Sequence, residues 1–409
     1  MVQYSSIRNF KDARTRDRTI DRLLALRAGI SHDITLRNKQ ESFHLASWNI
    51  RDFGGHRLNP SPRTPESLLY IAEVISAFDL VAVQEVNENM ADFQAVTRLL
   101  GPHWNYIVTD QSGNMERLAF VYDTRKILFR HVAGEIVLPK KRGKNPIQFN
   151  RTPFIVAFQA GWFKFNICTV HIYYGDASNL APRKREISDI AAFFTKRQKK
   201  DGETYILLGD FNILNPKDAT MDALLGNGFT VPKELRKPTA LASANFYDQI
   251  ALRAKEKVVQ IEKAGCFHWQ DYVFREADYA TYKPFMPTKK KNGKPARTDV
   301  AAYKKWRTWQ MSDHLPLWTE IKMDFTESYL QSLKTNKQPL ADFAPETGPR
   351  AGASPGDGNE AITTTTIGKA ATRSAAKKTT AKKKTAKRKT VKRTKASKRT
   401  SGARRKKRR

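Results

Sequence analysis

The residues best suited to chemistry in this chain are polar side chains that lie next to short apolar segments. Asn49 and Glu85 follow two such segments closely, and His171 closes a third. The same placement recurs at other carboxylate, amide and imidazole side chains: Glu116, Asp210, Asn212, Asp248, Asp313 and His314. If the apolar segments are strands, such groups can converge on one rim of a sheet without disrupting its core. Carboxylate and amide oxygens could then hold a hard cation, and the histidines could transfer protons.

The apolar segments themselves predict the strands that must position these groups. We expect strands at 43–48, 80–84, 118–122, 154–158, 165–172, 204–208, 249–252 and 315–321. Helical periodicity predicts helices at 65–78 and 182–199, so the domain over residues 41–325 is expected to be α/β (α+β). In an N-terminal extension, residues 1–40, the pattern at 19–30 predicts an amphipathic helix that ends at Gly29. We expect it to pack on the main domain rather than on a partner.

The charge of the chain predicts an anionic polymer as partner. Its formal net charge is +33, and residues 369–409 contain 21 Lys and Arg and no acidic residue. We expect this tail to be disordered because it has almost no large apolar side chain to bury. Its composition resembles that of linker-histone tails, and the segment 326–368 is predicted to be a flexible linker. Nucleic acid, with DNA first, is the predicted partner, although the tail could serve only as a localisation signal.

Three further features predict where the protein acts. The N-terminus has no apolar core of the signal-peptide type, and no run of 18 or more apolar residues exists. Cys168 and Cys266 are too few and too far apart for a disulfide framework or a zinc site. We therefore predict an intracellular monomer, cytoplasmic and nucleoid-associated, or nuclear if the source is eukaryotic.

Taken in order, the motifs resemble the endonuclease/exonuclease/phosphatase superfamily, and most closely its deoxyribonuclease I-like branch. The motifs that carry the resemblance are Trp48-Asn49-Ile50-Arg51, Gln84-Glu85-Val86, Glu116-Arg117, Arg151-Thr152-Pro153, His171, Gly209-Asp210-Phe211-Asn212, Tyr247-Asp248-Gln249-Ile250 and Ser312-Asp313-His314. The resemblance implies a four-layer α/β sandwich of two packed, mainly antiparallel sheets, with the active site on one edge. His171 disfavours the apurinic-site endonucleases, which usually have Tyr at this position.

The resemblance also implies roles in the hydrolysis of a phosphodiester. His171 would pair with Glu116 and His314 with Asp248, since a carboxylate orients an imidazole and stabilises its protonated form. We expect His314 to act as the general base and His171 as the general acid, with Asp210 as an alternative base.

Binding roles fall to a second set of residues. Glu85, Asn49, Asp210 and Asp313 would hold Mg²⁺, or else Mn²⁺ or Ca²⁺, because these cations prefer oxygen ligands. Arg151, Asn212 and Asn49 would bind the phosphate.

The chain departs from deoxyribonuclease I at its groove-contacting positions. Asn87 and Asn114 stand where the relative has an Arg and a Tyr that contact the minor groove. Two basic inserts, 140–144 and 283–307, could supply other contacts to the DNA backbone. Three aromatic residues in and just after the second insert could stack on unpaired bases or belong to the core: Tyr303, Trp306 and Trp309.

The predicted function is divalent-metal-dependent hydrolysis of DNA by an endonuclease of low sequence specificity that its basic tail tethers to DNA. Two alternatives remain open at this point. One is a phosphodiesterase or phosphatase that acts on lipid or inositol phosphates. The other is a catalytically inactive DNA-binding protein on the same fold.

Overall fold

The computed structural model describes residues 2–35, 37, 40–55, 58–140, 145–254 and 259–334. Several predictions concern residues outside these ranges. They are the disordered tail at 369–409, most of the basic insert at 140–144, and the part of the linker from residue 335 onward.

Within the described residues, eleven strands form two sheets. They are β1 (Ser42–Phe53), β2 (Leu80–Asn87), β3 (Trp104–Val108), β4 (Glu116–Asp123), β5 (Ile127–Glu135), β6 (Phe154–Ala160), β7 (Phe163–His171), β8 (Tyr205–Asp210), β9 (Asp248–Arg253), β10 (Ile261–Cys266) and β11 (Leu317–Lys322). One sheet has the order β10-β11-β1-β2-β4-β3 and the other the order β5-β6-β7-β8-β9. Only β1/β2 and β7/β8 are parallel among these neighbours, so both sheets are mainly antiparallel, as predicted.

The described residues also form helices, and several of these share a hydrophobic core with a sheet. The helices are α1 (Ala13–Asp33), α2 (Pro65–Ser76), α3 (Ala91–Leu100), α4 (Ala181–Asp201), α5 (Ala219–Leu225), α6 (Tyr279–Tyr282), α7 (Val300–Gln310) and α8 (Thr326–Lys334).

Alternation along β1 shows how the four layers are built. Phe43 and Leu45 belong to the core between the two sheets, whereas Ala46 and Trp48 belong to a second core shared with α2. Successive strand residues point to opposite faces of a sheet, so one strand serves both cores. The predicted four-layer sandwich is confirmed.

The predicted N-terminal helix is present and packs on the main domain. It is longer than expected at both ends, because α1 spans Ala13–Asp33 and does not end at Gly29. Leu23 and Leu26 are buried against the domain, and Arg18 pairs with Glu66 at 2.8 Å. Gly29 is required for packing instead: a Cβ there would lie 2.2 Å from the ring of Tyr272.

The three strands that the apolar pattern misses are β3, β5 and β10. All three lie at an edge of their sheet and bury few side chains. Short apolar runs occur in β3 (106–108) and β5 (127–129), but polar residues interrupt them, so they do not form the continuous run that marks a strand buried on both faces.

Part of the predicted linker is folded. The first nine residues of 326–368 form α8, so the prediction that the linker begins at 326 is wrong. Asp324 caps the start of this helix, because its Oδ1 accepts hydrogen bonds from the backbone N and the Oγ1 of Thr326 at 2.9 and 2.6 Å. Tyr329 then packs on Trp162, with ring centroids 5.2 Å apart.

The second basic insert, 283–307, is also folded, and it ends in α7. Tyr303 is fully buried and packs on Tyr282, so of the two alternatives left open for it the structure supports a core position. Trp306 is 3% exposed, while Trp309 is only partly buried. Helical spacing explains the difference, since one face of α7 turns towards the core and the other does not.

Candidate active site

Strand register brings three of the predicted residues side by side on one sheet. His171 at the end of β7 pairs with Asp210 at the end of β8, and Asp210 pairs in turn with Asp248 at the start of β9. The β7/β8 pair is parallel and β8/β9 is antiparallel, so the end of two strands meets the beginning of the third at one edge. Gly209 makes this arrangement possible. Its φ is +129°, and a Cβ there would lie 2.1 Å from the carbonyl oxygen of Val170.

The other sheet contributes Asn49, Glu85 and Glu116 to the same edge. Glu85 adopts a φ of 61° where the register of β2 shifts between Val83 and Val86, a bulge of the kind that re-aims a side chain beside an active site. The side-chain nitrogen of Asn49 donates to Glu85 Oε1 and to Asp210 Oδ2, both at 3.0 Å. Asn49 therefore joins the two sheets at the site.

His314 and Asp248 form a buried pair. Nδ1 of His314 lies 2.8 Å from Oδ2 of Asp248, and its Nε2 lies 3.8 Å from Oδ2 of Asp210. Burial disfavours the imidazolium, but the carboxylates of Asp248 and Asp210 outweigh burial and raise the pKa of His314 well above its usual value. Ser312 holds the loop before His314, because its Oγ donates to the carbonyl of Asn49 and accepts from the backbone N of His314.

His171 and Glu116 form a second pair on the opposite side of Asp210. Nδ1 of His171 lies 3.0 Å from Oε2 of Glu116, and its Nε2 lies 3.4 Å from Oδ2 of Asp210. Burial opposes the charged forms of both groups. The contact nevertheless raises the pKa of His171, while His171 and Arg151 lower the pKa of Glu116. The two histidines therefore approach the same carboxylate oxygen, each with a carboxylate at its other nitrogen.

Arg151 and Asn212, which are predicted to bind only the phosphate, make hydrogen bonds to other residues of the protein. Nε of Arg151 donates to Glu116 Oε2 at 2.8 Å, and the side chain is mostly buried. The amide nitrogen of Asn212 donates to the carbonyl of Ile172 at 2.7 Å. In this arrangement Arg151 orients Glu116, and Asn212 shapes the turn after β8, where its φ is 53°.

Asp313 lies at the outer side of the cluster. Its Oδ2 is 3.1 Å from Nη1 of Arg51, whose guanidinium carbon lies 3.6 Å from the ring centroid of Trp309. Asp313 thus already has a cationic neighbour in Arg51.

The oxygen-rich side of the cluster fits a hard divalent cation. Oδ1 of Asn49 is buried and has no hydrogen-bond partner among the described residues. Burial raises the pKa of the Glu85 carboxyl, a cost that a bound cation would remove. A second group that could hold a metal ion consists of Asp210, Asp248 and His314. Each residue has one oxygen or nitrogen atom within 4.8 Å of those of the other two. In that second group Nδ1 of His314 is already occupied by Asp248.

A family model fits the part of the chain that carries most of this site. Residues 46–248 match the endonuclease/exonuclease/phosphatase family. They form a domain of that family. The activities in the family's name are hydrolyses of phosphoester bonds, and this is the class of reaction that the match supports. The match ends at Asp248. Two residues of the site, Asp313 and His314, therefore lie outside the matched residues.

Solved structures similar to this chain share little sequence with it. The catalytic domain of human Nocturnin is 12% identical, covering 69% of this chain and 95% of that one, with a TM-score of 0.46. Humanized D. rerio TDP2 is 14% identical (69% and 99%, TM-score 0.42). A mannosyl-6-phosphatase of Bacteroides thetaiotaomicron is 15% identical (68% and 99%, TM-score 0.44). A comparison with curated proteins finds no match.

Two residues of the family domain contribute to the site without being predicted. Arg183 on α4 is fully buried and donates to the backbone carbonyls of Asn212, at 2.8 Å, and of Tyr174. It thereby fixes the loops after β7 and β8. The ring of Tyr247 lies 5.4 Å from that of His314. Tyr247 precedes Asp248 in its motif and could have been found there, whereas Arg183 looks like any other basic residue of a helix with many of them.

Proposed function

We propose that this protein is a divalent-metal-dependent endonuclease that hydrolyses DNA with low sequence specificity. The observation that carries the proposal is the convergence of two histidine–carboxylate pairs on one oxygen of Asp210. Nε2 of His171 and Nε2 of His314 lie 3.4 and 3.8 Å from it. Hydrolysis of a phosphodiester needs one group to accept a proton from water and another to give a proton to the leaving oxygen. Two oriented imidazoles at one place meet both needs.

The two histidines then divide the proton transfers. In its neutral form, which its raised pKa favours only at higher pH, His314 accepts the proton of the attacking water, and Asp248 holds its imidazole in the required orientation. His171 donates a proton to the leaving oxygen, with Glu116 and Arg151 behind it. Asp210 touches both imidazoles, so it is the alternative proton acceptor.

A divalent cation, Mg²⁺ or else Mn²⁺ or Ca²⁺, would be held by Glu85, Asn49, Asp210 and Asp313. When bound there, it supplies Lewis-acid polarisation of the phosphate and stabilises the charge that develops on its oxygens. Asn49 suits this position in particular, because its nitrogen bonds two carboxylates while its oxygen is left for the cation.

DNA is proposed as the substrate because of charge. Residues 1–368 carry a net +12, from the total of +33 less the 21 Lys and Arg of the tail. Lysine and arginine bind backbone phosphates and release counterions without reading sequence, so low specificity is expected. Tethering by the tail would raise the local concentration of DNA at the site.

Conversion of supercoiled plasmid in Mg²⁺, Mn²⁺ or EDTA tests the proposal. Nicking should require the cation and should fall about 100- to 10,000-fold in His314→Ala. His103→Ala is the matched control, since that histidine is exposed and remote from the site residues. A plasmid that is bound but never cut would contradict the proposal. Hydrolysis of sphingomyelin or a phosphoinositide would then identify the lipid-phosphate alternative, and no hydrolysis of any diester would identify an inactive scaffold.

A further inference from the structure

A cavity of about 460 Å³ lies between α7 and the loop that precedes it. Its apolar lining includes Leu58, Met286 and Ala301, together with the indole rings of Trp306 and Trp309. This volume is within the range of small-molecule sites, which are mostly apolar with a few polar groups at the edge. The catalytic residues use no part of it.

The cavity has a strongly basic rim. Its remaining charged lining residues are Lys289, Lys290, Lys291, Arg297 and Lys305. The segment 283–307 contains nine Lys or Arg and one acidic residue, Asp299, which pairs with Arg297 at 2.5 Å. An occupant should therefore combine a flat apolar part with negative charge beside it.

A short chain of contacts joins the cavity to the active site. Trp309 lines the cavity, and the guanidinium of Arg51 lies 3.6 Å from its ring centroid. The same guanidinium is 3.1 Å from Asp313, the residue before His314. Arg51 thus contacts both the cavity wall, at Trp309, and a proposed cation ligand, Asp313. A polymer with one phosphate in the active site could place a neighbouring nucleotide in the cavity.

We propose that this cavity binds one unpaired base of a single-stranded segment of the substrate. The inference rests on the proposed function. To the proposed active site it adds a subsite that binds the base of a neighbouring nucleotide. A base has a flat π face that suits an indole, and the phosphates on either side of it suit a lysine rim. Every base has such a face, so the subsite favours unpaired strands over duplex without selecting a sequence.

The test compares two short strands of about eight nucleotides that carry equal charge, one with bases and one abasic throughout. Lys and Arg of the tail are expected to bind phosphates, which both strands carry in equal number, so their contribution should cancel in the ratio of the two dissociation constants. Fluorescence anisotropy in EDTA measures binding without cleavage, using the full chain. The base-bearing strand should bind about tenfold more tightly.

Two variants test whether the preference for the base-bearing strand arises in this cavity. Trp309→Leu, which removes the ring, should bring the ratio close to one, and Ala301→Leu, which narrows the cavity, should lower it several-fold. Ala192→Leu, at an exposed alanine of α4, should leave it unchanged. Equal binding of both strands by the wild type would overturn the inference, as would a tenfold ratio kept in Trp309→Leu. A base preference in a protein that never nicks plasmid would instead refute only the proposed function.

Discussion

His171 and Asp210 lie opposite each other on neighbouring parallel strands, and Nε2 of the histidine is 3.4 Å from Oδ2 of the aspartate. Strand pairing fixes this relation, so neither side chain depends on a mobile loop for its place. On the other side of Asp210, His314 comes from the loop before β11 and is held through Ser312. The two imidazoles are therefore positioned independently, and their roles can be separated by experiment.

The role of His171 as proton donor can be tested with leaving groups. His171→Ala should slow DNA cleavage about 100- to 10,000-fold, because the leaving alkoxide needs a proton. It should slow hydrolysis of bis(p-nitrophenyl) phosphate far less, since nitrophenolate leaves without one. His314→Ala should slow both substrates by similar factors. The quantity to measure is kcat for each combination of variant and substrate. If both variants lost activity by the same factor on both substrates, this division of roles would be contradicted.

The role of Glu85 in holding a cation can be tested without activity. Mg²⁺ or Mn²⁺ at 100 times its dissociation constant should stabilise the wild-type fold by about 2.7 kcal/mol. Glu85→Gln should lose most of this gain, because the amide cannot supply a charged oxygen. The measurement is the shift of Tm with cation concentration, with exposed Glu88→Gln as the matched control. A full shift in Glu85→Gln would place the cation elsewhere.

The Asp123 carboxylate should make stability depend on pH. It is buried, and Arg125 and Arg37 donate to it at 2.6 and 2.5 Å. Burial alone would raise the pKa of Asp123, but these arginines outweigh it and lower the pKa. A lowered folded-state pKa stabilises the protein above the unfolded value of about 3.9, and this stabilisation is lost as pH falls through the folded value.

Asp123→Asn should therefore cost about 1 to 3 kcal/mol of unfolding free energy at pH 7, because the arginines that lose their partner are partly exposed to solvent. The difference from wild type should begin to shrink below about pH 5 and continue to shrink as the pH falls through the folded-state pKa, which lies well below the unfolded value of about 3.9. Asp110→Asn, at a side chain that is 91% exposed, is the control. Urea unfolding at several pH values gives the measurement, and a pH-independent difference would show that the ion pairs are not its source.

The predicted tail should control the salt dependence of DNA binding. Deleting residues 340–409 removes all 21 Lys and Arg of 369–409, so binding should weaken and its dependence on salt should flatten. Hydrolysis of bis(p-nitrophenyl) phosphate should persist. The slope of log K against log salt is the quantity to compare, and an unchanged slope would rule out tethering by the tail.

Much of the site could be predicted from sequence, because its residues flank strands whose apolar segments are visible in one dimension. Asn49, Glu85, His171, Asp210, Asp248 and His314 were all named on this basis, and the structure brings them together. The core strands could be predicted for the same reason, and so could β9, an edge strand that is buried along most of its length. The edge strands β3, β5 and β10 could not, since they bury too few side chains to show a pattern.

What the sequence by itself determined is the set of chemical groups and their order along the chain. Only the tertiary structure decided which groups face one another. Register between β7, β8 and β9 places His171 and Asp248 on either side of Asp210. The packing of α7 buries Tyr303 but leaves Trp309 beside Arg51 at the cavity. Such pairings join residues far apart in sequence, and they follow from the geometry of sheets and helices in contact, which no local pattern of residue types records.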